Sequence, residues 1–163
     1  MNNLTMIPFG LPGKIYRSPL PKGSFDYGLT TLDEMLAAGV SEVVILVEEF
    51  EWQQRANVDL PTLYKANNIR ILHYPVEDFK VPTNLDSYLE AVQQVITWAR
   101  SGENIAIHCF AGIGRTGTFL TAMAMDIFGW SPLEAVFWIR QFIPGAVENE
   151  AQLKFVMNAL QSF

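Results

Sequence analysis

The chain alternates short, almost wholly apolar runs with longer stretches in which apolar residues recur every three or four positions. Residues 43–47 are five consecutive apolar, mostly β-branched residues, short enough for a strand covered on both faces. Residues 70–74 read as a second buried strand and 104–108 as a further strand, and one more short strand is expected near Ile15 and Tyr16. Helical patterns lie between them. Thr30-Thr31-Leu32-Asp33-Glu34 places hydroxyls ahead of acids, a helix-start signal, and Gly39 should end that helix. Residues 60–66 read as helical, and Asn84 opens a longer helix with Leu85, Leu89, Val92, Val95, Ile96 and Ala99 on one face, stopping near Gly102. Three further helices, 115–128, 132–142 and 149–160, close the chain. Strands alternating with helices predict an α/β fold: a mostly parallel central sheet of about four to five strands, flanked by helices on both faces. In such sheets ligands gather at the carboxyl ends of the strands.

No linker or repeat interrupts the pattern, Pro and Gly cluster only in residues 8–23, and 163 residues suit a single domain spanning 1–163. The balance of 11 basic against 17 acidic residues, a net charge of −6, argues against a nucleic-acid surface or an anionic-lipid anchor. One cysteine cannot form an internal disulfide, which suits a reducing compartment. Met1-Asn2-Asn3-Leu4-Thr5 lacks the basic region and apolar core of a secretory signal, and no run approaches the length of a membrane span. A cytoplasmic monomer with neither nucleic-acid nor membrane partner is expected.

The chemistry concentrates in His108-Cys109-Phe110-Ala111-Gly112-Ile113-Gly114-Arg115-Thr116, where five residues separate Cys109 from Arg115. The stretch joins an expected strand to an expected helix, so Cys109 sits at a helix N-terminus. Unpaired N–H groups and the positive end of the helix dipole favour an anion there, a thiolate or a phosphate. Gly112 and Gly114 allow backbone N–H groups of residues 110–114 to converge on a phosphoryl group. Arg115 adds a planar fork matching two oxygens. These surroundings should lower the Cys109 thiol below its usual range and make it a nucleophile. Gly112 to Gly117 also spells G-x-G-x-x-G, the dinucleotide pattern. That reading is rejected, because it needs a further strand ending in an acid about 20 residues on, and Glu134, after Ser131-Pro132, opens a helix instead. A buried core cysteine, the ordinary fate of a free thiol, does not explain the flanking His108, Arg115 and glycines.

The His-Cys-x5-Arg-Thr motif resembles the signature of the cysteine-dependent protein tyrosine phosphatases, and the short chain resembles their dual-specificity-like branch. Similarity extends through Gly13-Lys14-Ile15-Tyr16-Arg17-Ser18-Pro19, residues 74–82 and residues 139–152. The resemblance implies a phosphatase-like fold in which Cys109 is the nucleophile and Arg115 grips the phosphoryl oxygens. Asp78, four residues before Pro82, resembles the general acid of the family's acid loop, with Glu77 the alternative. Phe79 would anchor that loop through its apolar ring. Thr116 resembles the hydroxyl residue that hydrogen-bonds the departing thiolate. His108 would orient the turn or simply be a satisfied buried histidine, and His73 is read as structural. In Glu148-Asn149-Glu150-Ala151-Gln152, only Gln152 matches the two glutamines of larger tyrosine-specific members, the first of which positions the hydrolytic water; Glu148 stands in its place. Arg140 and Pro144-Gly145 resemble the family's Arg-x-x-Arg-Pro-Gly element, with Ile143 replacing the second arginine. Glu48, Glu49 and Glu51 read as a solvated acidic loop, any one of which could pair with Arg115.

The leading expectation is therefore hydrolysis of phosphotyrosine, and also of phosphoserine or phosphothreonine, in a protein or peptide substrate. No cluster has metal-ligand spacing, so neither metal nor cofactor is expected. The alternatives are a phosphoinositide or other small-molecule phosphatase, sulfur transfer through a persulfide, and a non-catalytic phosphate-binding module.

Overall fold

The computed structural model describes residues 2–160. Five strands, β1 (Thr5–Ile7), β2 (Ile15–Ser18), β3 (Glu42–Ile45), β4 (Arg70–His73) and β5 (Ile105–His108), form one sheet in the order β1-β2-β5-β3-β4. Only the β1–β2 pairing is antiparallel. Every residue of β3 and β5 is buried, so helices cover both faces of the sheet centre, as expected of continuous apolar strands. Around it lie α1 (Thr31–Ala37), α2 (Glu49–Ala56), α3 (Leu60–Ala66), α4 (Leu85–Arg100), α5 (Gly114–Phe128), α6 (Pro132–Phe142) and α7 (Glu150–Lys154). The apolar face expected for α4 is present: Val92, Val95, Ile96 and Ala99 are buried, with Asn84 capping the helix through Ser87 N.

The register positions the site. Ser18, Ile45 and His73 stand level with one another through His108 and Ile45, so β2, β3, β4 and β5 end at one edge of the sheet. The chain leaves β3 into α2, β4 into residues 74–82, and β5 into the Cys109 turn. Three connections therefore converge.

Four elements differ from the sequence reading. β4, expected as a buried strand, lies at the edge of the sheet, with Arg70 and His73 exposed and Ile71 and Leu72 half-buried. The edge strand β1 is too short to show alternation, and Met6 in it is exposed. The acidic stretch expected as a solvated loop is the helix α2, started by a capping box between Glu48 and Glu51 and buried through Trp52 and Glu51. The last helix is not continuous over 149–160: α7 gives way to a wider π turn over Phe155–Ala159, where Phe155 meets Tyr88 edge-on at 5.5 Å.

Candidate active site

The turn from β5 into α5 is held from outside by Arg17, which the sequence reading quoted without a role. Arg17 donates from Nε to the Gly112 carbonyl at 3.1 Å, from Nη2 to the Ala111 carbonyl at 2.7 Å, and from Nη1 to the Asn3 carbonyl at 3.2 Å. With those carbonyls turned to Arg17, the N–H groups of Phe110, Ala111, Gly112 and Ile113 find no acceptor among the described residues. Unpaired backbone N–H groups on successive residues are what an anion cradle requires. Gly112 has φ +77°, and a Cβ there would strike the Ser18 carbonyl and the Arg17 guanidinium. Burial pushes the Arg17 guanidinium down from its ordinary value, opposed by the charge of the nearby Cys109.

His108 is fully buried behind the turn. Its Nδ1 faces the Cys109 carbonyl at 3.2 Å and its Nε2 lies 2.8 Å from the Tyr64 hydroxyl. A carbonyl only accepts, so Nδ1 carries the proton and Nε2 accepts from Tyr64. Burial lowers the imidazole to about 4 and raises the Tyr64 hydroxyl well above its ordinary range, so the pair is neutral and orients the turn. Both roles foreseen for His108 are thus compatible with its place.

Arg115 is almost wholly buried, and its donors can be counted. Glu51 accepts from Nη1 at 2.8 Å and Nη2 at 2.9 Å, a two-point fork, and the Val76 carbonyl takes the second Nη1 proton at 2.8 Å. The edge formed by Nε and the remaining Nη2 proton makes no hydrogen bond among the described residues, though Asp78 Oδ1 lies 3.0 Å from Nη2 as an ion pair. Burial alone would lower the guanidinium, but the hydrogen bonds it donates to Glu51 and the charges of Cys109, Glu51 and Asp78 together raise it. Of the three glutamates left open by the sequence, Glu51 is the partner of Arg115.

Asp78 belongs to the same constellation. Its Oδ2 accepts from Arg55 Nη1 at 2.9 Å, and its Oδ1 accepts from the Phe79 backbone N–H at 3.0 Å. Arg55, one helical turn after Glu51 on α2, also reaches Glu51 at 3.2 Å, and its guanidinium lies 4.5 Å from the Phe110 ring centroid. Phe79 corrects the expectation of an apolar anchor: it is 59% exposed, with φ +64°. The loop is fastened instead through buried Val76 and through Asn149 Nδ2, which donates to the Phe79 carbonyl at 2.9 Å. Glu77 is exposed and does not line the site.

A cavity of about 330 Å³ gathers these groups. Cys109, Ala111, Gly114 and Arg115 line it together with Asp78, Arg55 and Glu148, and Phe25, Phe79, Phe110 and Ile113 give it apolar walls. Glu148 packs against Gly114, where a Cβ would collide with its carboxyl group. Burial, and then the charge of Asp78, raise the Glu148 carboxyl above its ordinary value, with Arg115 opposing. Gln152 does not line the cavity; it is fully buried and its Oε1 accepts from the Glu148 N–H at 3.0 Å. Thr116 Oγ1 is buried without a hydrogen-bond partner among the described residues, so the expected bond to the Cys109 sulfur is not made in this structure. Arg140 holds the carbonyls of Ala146 and Val147 at 2.8 and 3.0 Å, while Ile143, in the place of a second arginine, is buried. His73, held to the Val47 carbonyl at 2.8 Å, lies in a separate, open hollow of about 590 Å³ beside α2 and α3. No group of three His, Cys, Asp or Glu among the described residues could hold a metal ion. No helix among them is long and apolar enough to cross a membrane.

Residues 39–162 match the family model for the catalytic domain of dual specificity phosphatases. The tyrosine-protein phosphatase corkscrew of Drosophila melanogaster is 37% identical over 112 residues, covering 58% of this chain and 13% of that protein. A putative tyrosine phosphatase, 067L of Invertebrate iridescent virus 3, is 28% identical over 136 residues, covering 80% of this chain and 54% of that protein. The chain thus spans between about an eighth and about half of these curated relatives. Among solved structures, the active form of Tk-PTP superposes with a TM-score of 0.79 at 30% identity, covering 98% of this chain and 97% of that one. PTPMT1 shares the fold at a TM-score of 0.75 and 23% identity, over 98% of this chain and 94% of that one.

Proposed function

The chain belongs to the dual specificity phosphatase family, and on that premise we propose that it hydrolyses phosphate monoesters through a phosphocysteine intermediate, with phosphotyrosine in peptides as its preferred substrate. The observation that carries the reading is the meeting of Cys109, Arg115 and Asp78 on one cavity lined by apolar rings. In the first step the Cys109 thiolate attacks phosphorus in line with the leaving oxygen. The S–P bond forms as the P–O bond breaks, and Asp78, protonated for this step, gives its proton to the departing oxygen. The free N–H groups of the turn and the unengaged edge of Arg115 hold the non-bridging oxygens where charge spreads in the transition state. Water then attacks the phosphocysteine, losing its proton to the Asp78 carboxylate as the S–P bond breaks and the thiolate returns.

The walls argue for an aryl ester. Phe25, Phe79, Phe110 and Ile113 offer apolar contact to a phosphorylated ring, and Glu148, when ionised, penalises a head group carrying several phosphates. The second reading, phosphoinositide hydrolysis, draws on Arg55, a cation at the rim outside the cysteine turn, and on PTPMT1, a structural neighbour solved in complex with PI(5)P. One panel separates them: phosphotyrosine and phosphoserine peptides, PI(5)P vesicles and thiosulfate, each with chelator present. The expected result is highest kcat/KM on phosphotyrosine, unaffected by chelation, and abolished in Cys109→Ser while inorganic phosphate still binds. An equal or higher kcat/KM on PI(5)P would overturn the substrate assignment, and activity lost on chelation would overturn the mechanism.

A further inference from the structure

Asp78 is surrounded by two guanidinium groups that hold it differently. Arg115 lies 3.0 Å away as an ion pair without hydrogen-bond alignment, whereas Arg55 donates a hydrogen bond at 2.9 Å. The Arg115 edge facing Asp78 is also the one edge of that group left for a phosphoryl oxygen pair, since Glu51 and the Val76 carbonyl take the other three terminal protons. A bound phosphoryl group therefore competes with Asp78 for Arg115. Arg55 has partners outside the phosphoryl site as well: one nitrogen reaches both Asp78 and Glu51, and its guanidinium lies 4.5 Å from the Phe110 ring centroid. The loop bearing Asp78 needs such a tether, because Phe79 is held in the left-handed region, a conformation that persists only when its surroundings enforce it.

We propose that Arg55 is the positioning residue for the general acid, holding Asp78 over the leaving oxygen once substrate has taken Arg115. The proposal rests on the reading of Asp78 as the acid. Arg55 acts through Asp78, so its loss should weaken proton delivery and leave phosphoryl binding in place. Proton delivery matters in proportion to the basicity of the leaving group.

The test uses the full chain with two substrates, phenyl phosphate as a poor leaving group and 2,4-dinitrophenyl phosphate as a good one, in Arg55→Ala, Arg55→Lys, Asp78→Asn and the double variant Arg55→Ala/Asp78→Asn. A positioned acid contributes about 10²–10⁴-fold. Arg55→Ala should accordingly lower kcat/KM, which reports the leaving-group step and not the common hydrolysis of the phosphocysteine, by about tenfold or more on phenyl phosphate and by about twofold or less on the dinitrophenyl ester. Inhibition by inorganic phosphate should weaken no more than severalfold, the effect of removing one charge from the cavity lining, Arg55→Lys should recover most of the loss, and the double variant should fall no further than Asp78→Asn alone. Equal losses on both esters, a phosphate affinity weakened as much as turnover of phenyl phosphate, or losses that multiply in the double variant would overturn the proposal and make Arg55 a direct reader of substrate charge or a purely structural residue. If Asp78→Asn itself showed no dependence on the leaving group, the acid assignment would fail first, and the proposal with it. Because Arg55→Ala removes charge from a helix that also carries Glu51, its urea midpoint is measured alongside; a kinetic loss seen only where the fold is also lost counts against the proposal.

Discussion

Glu51 is fully buried, yet it is the most connected side chain of the site. One oxygen accepts from Arg115 Nη1 and from the Glu48 N–H, both at 2.8 Å; the other accepts from Arg115 Nη2 at 2.9 Å and Arg55 Nη1 at 3.2 Å. Truncation to Ala would leave the Arg115 charge buried and under-compensated, a change that costs about 3–5 kcal/mol. Arg115 keeps the Val76 carbonyl and the nearby Asp78, which places the expectation at the lower end, about 3 kcal/mol. Loss of the reciprocal cap with Glu48 adds about 1 kcal/mol. Urea unfolding with an unchanged m value is the assay; in thermal unfolding each kcal/mol corresponds to roughly 2–4 °C for a chain of this size. Glu51→Gln keeps the shape and one acceptor oxygen, so it should cost clearly less than Ala while still lowering kcat/KM by about tenfold or more, equivalent to about 1.4 kcal/mol of transition-state stabilisation. Phosphate affinity alone is a poor readout here, because deleting a carboxylate also makes the cavity more attractive to any anion. An Ala variant destabilised by less than about 1 kcal/mol, or a Gln variant of wild-type kcat/KM, would refute the view that Glu51 fixes Arg115.

Two further predictions concern ionisation. Burial lowers His108 from 6.5 to about 4, so between those values the unfolded chain binds a proton that the folded chain refuses. Stability is fully present above about pH 6.5 and falls toward pH 4, by about 3 kcal/mol in total; His108→Asn should lose that part of the slope, and an identical slope in both proteins would sink the reading. Glu148, raised by burial and by the charge of Asp78, opposes an incoming phosphate only when ionised. Glu148→Gln should tighten inorganic phosphate severalfold, an advantage that grows as pH rises through the Glu148 titration and vanishes below it; equal affinities at every pH would count against a charged Glu148 in the cavity.

What was legible in the sequence is what depends on near neighbours. Five residues between Cys109 and Arg115, glycines where the backbone must close upon itself, and a strand before and a helix after suffice to predict an anion cradle, because each requirement acts within a dozen residues. The electrostatics that close the site depend on distant partners and were legible only in part. Glu48, Glu49 and Glu51 look like a solvated run because burying a carboxylate is costly; Glu51 is buried only because Arg115, 64 positions on, neutralises it. Its spacing from Arg55 is the i,i+4 pattern of a helical ion pair, a local signal, beside the Glu48–Glu51 cap, that could have revealed α2. Arg17 gives no such signal, since its partners are carbonyls of the cysteine turn, 94 and 95 residues away. Phe79 misleads in the opposite sense: an apolar ring in a loop suggests an anchor, but the backbone there is left-handed and turns the ring to the rim. Register unites these distant groups. Because Ile45 stands opposite both His73 and His108, α2, the Asp78 loop and the Cys109 turn all start from one level of the sheet. A shift of β3 by two residues would preserve its inward and outward faces and still move Glu51 and Arg55 by about 7 Å, beyond reach of Arg115 and Asp78, so the chemistry depends on strand pairing as directly as on the cysteine motif.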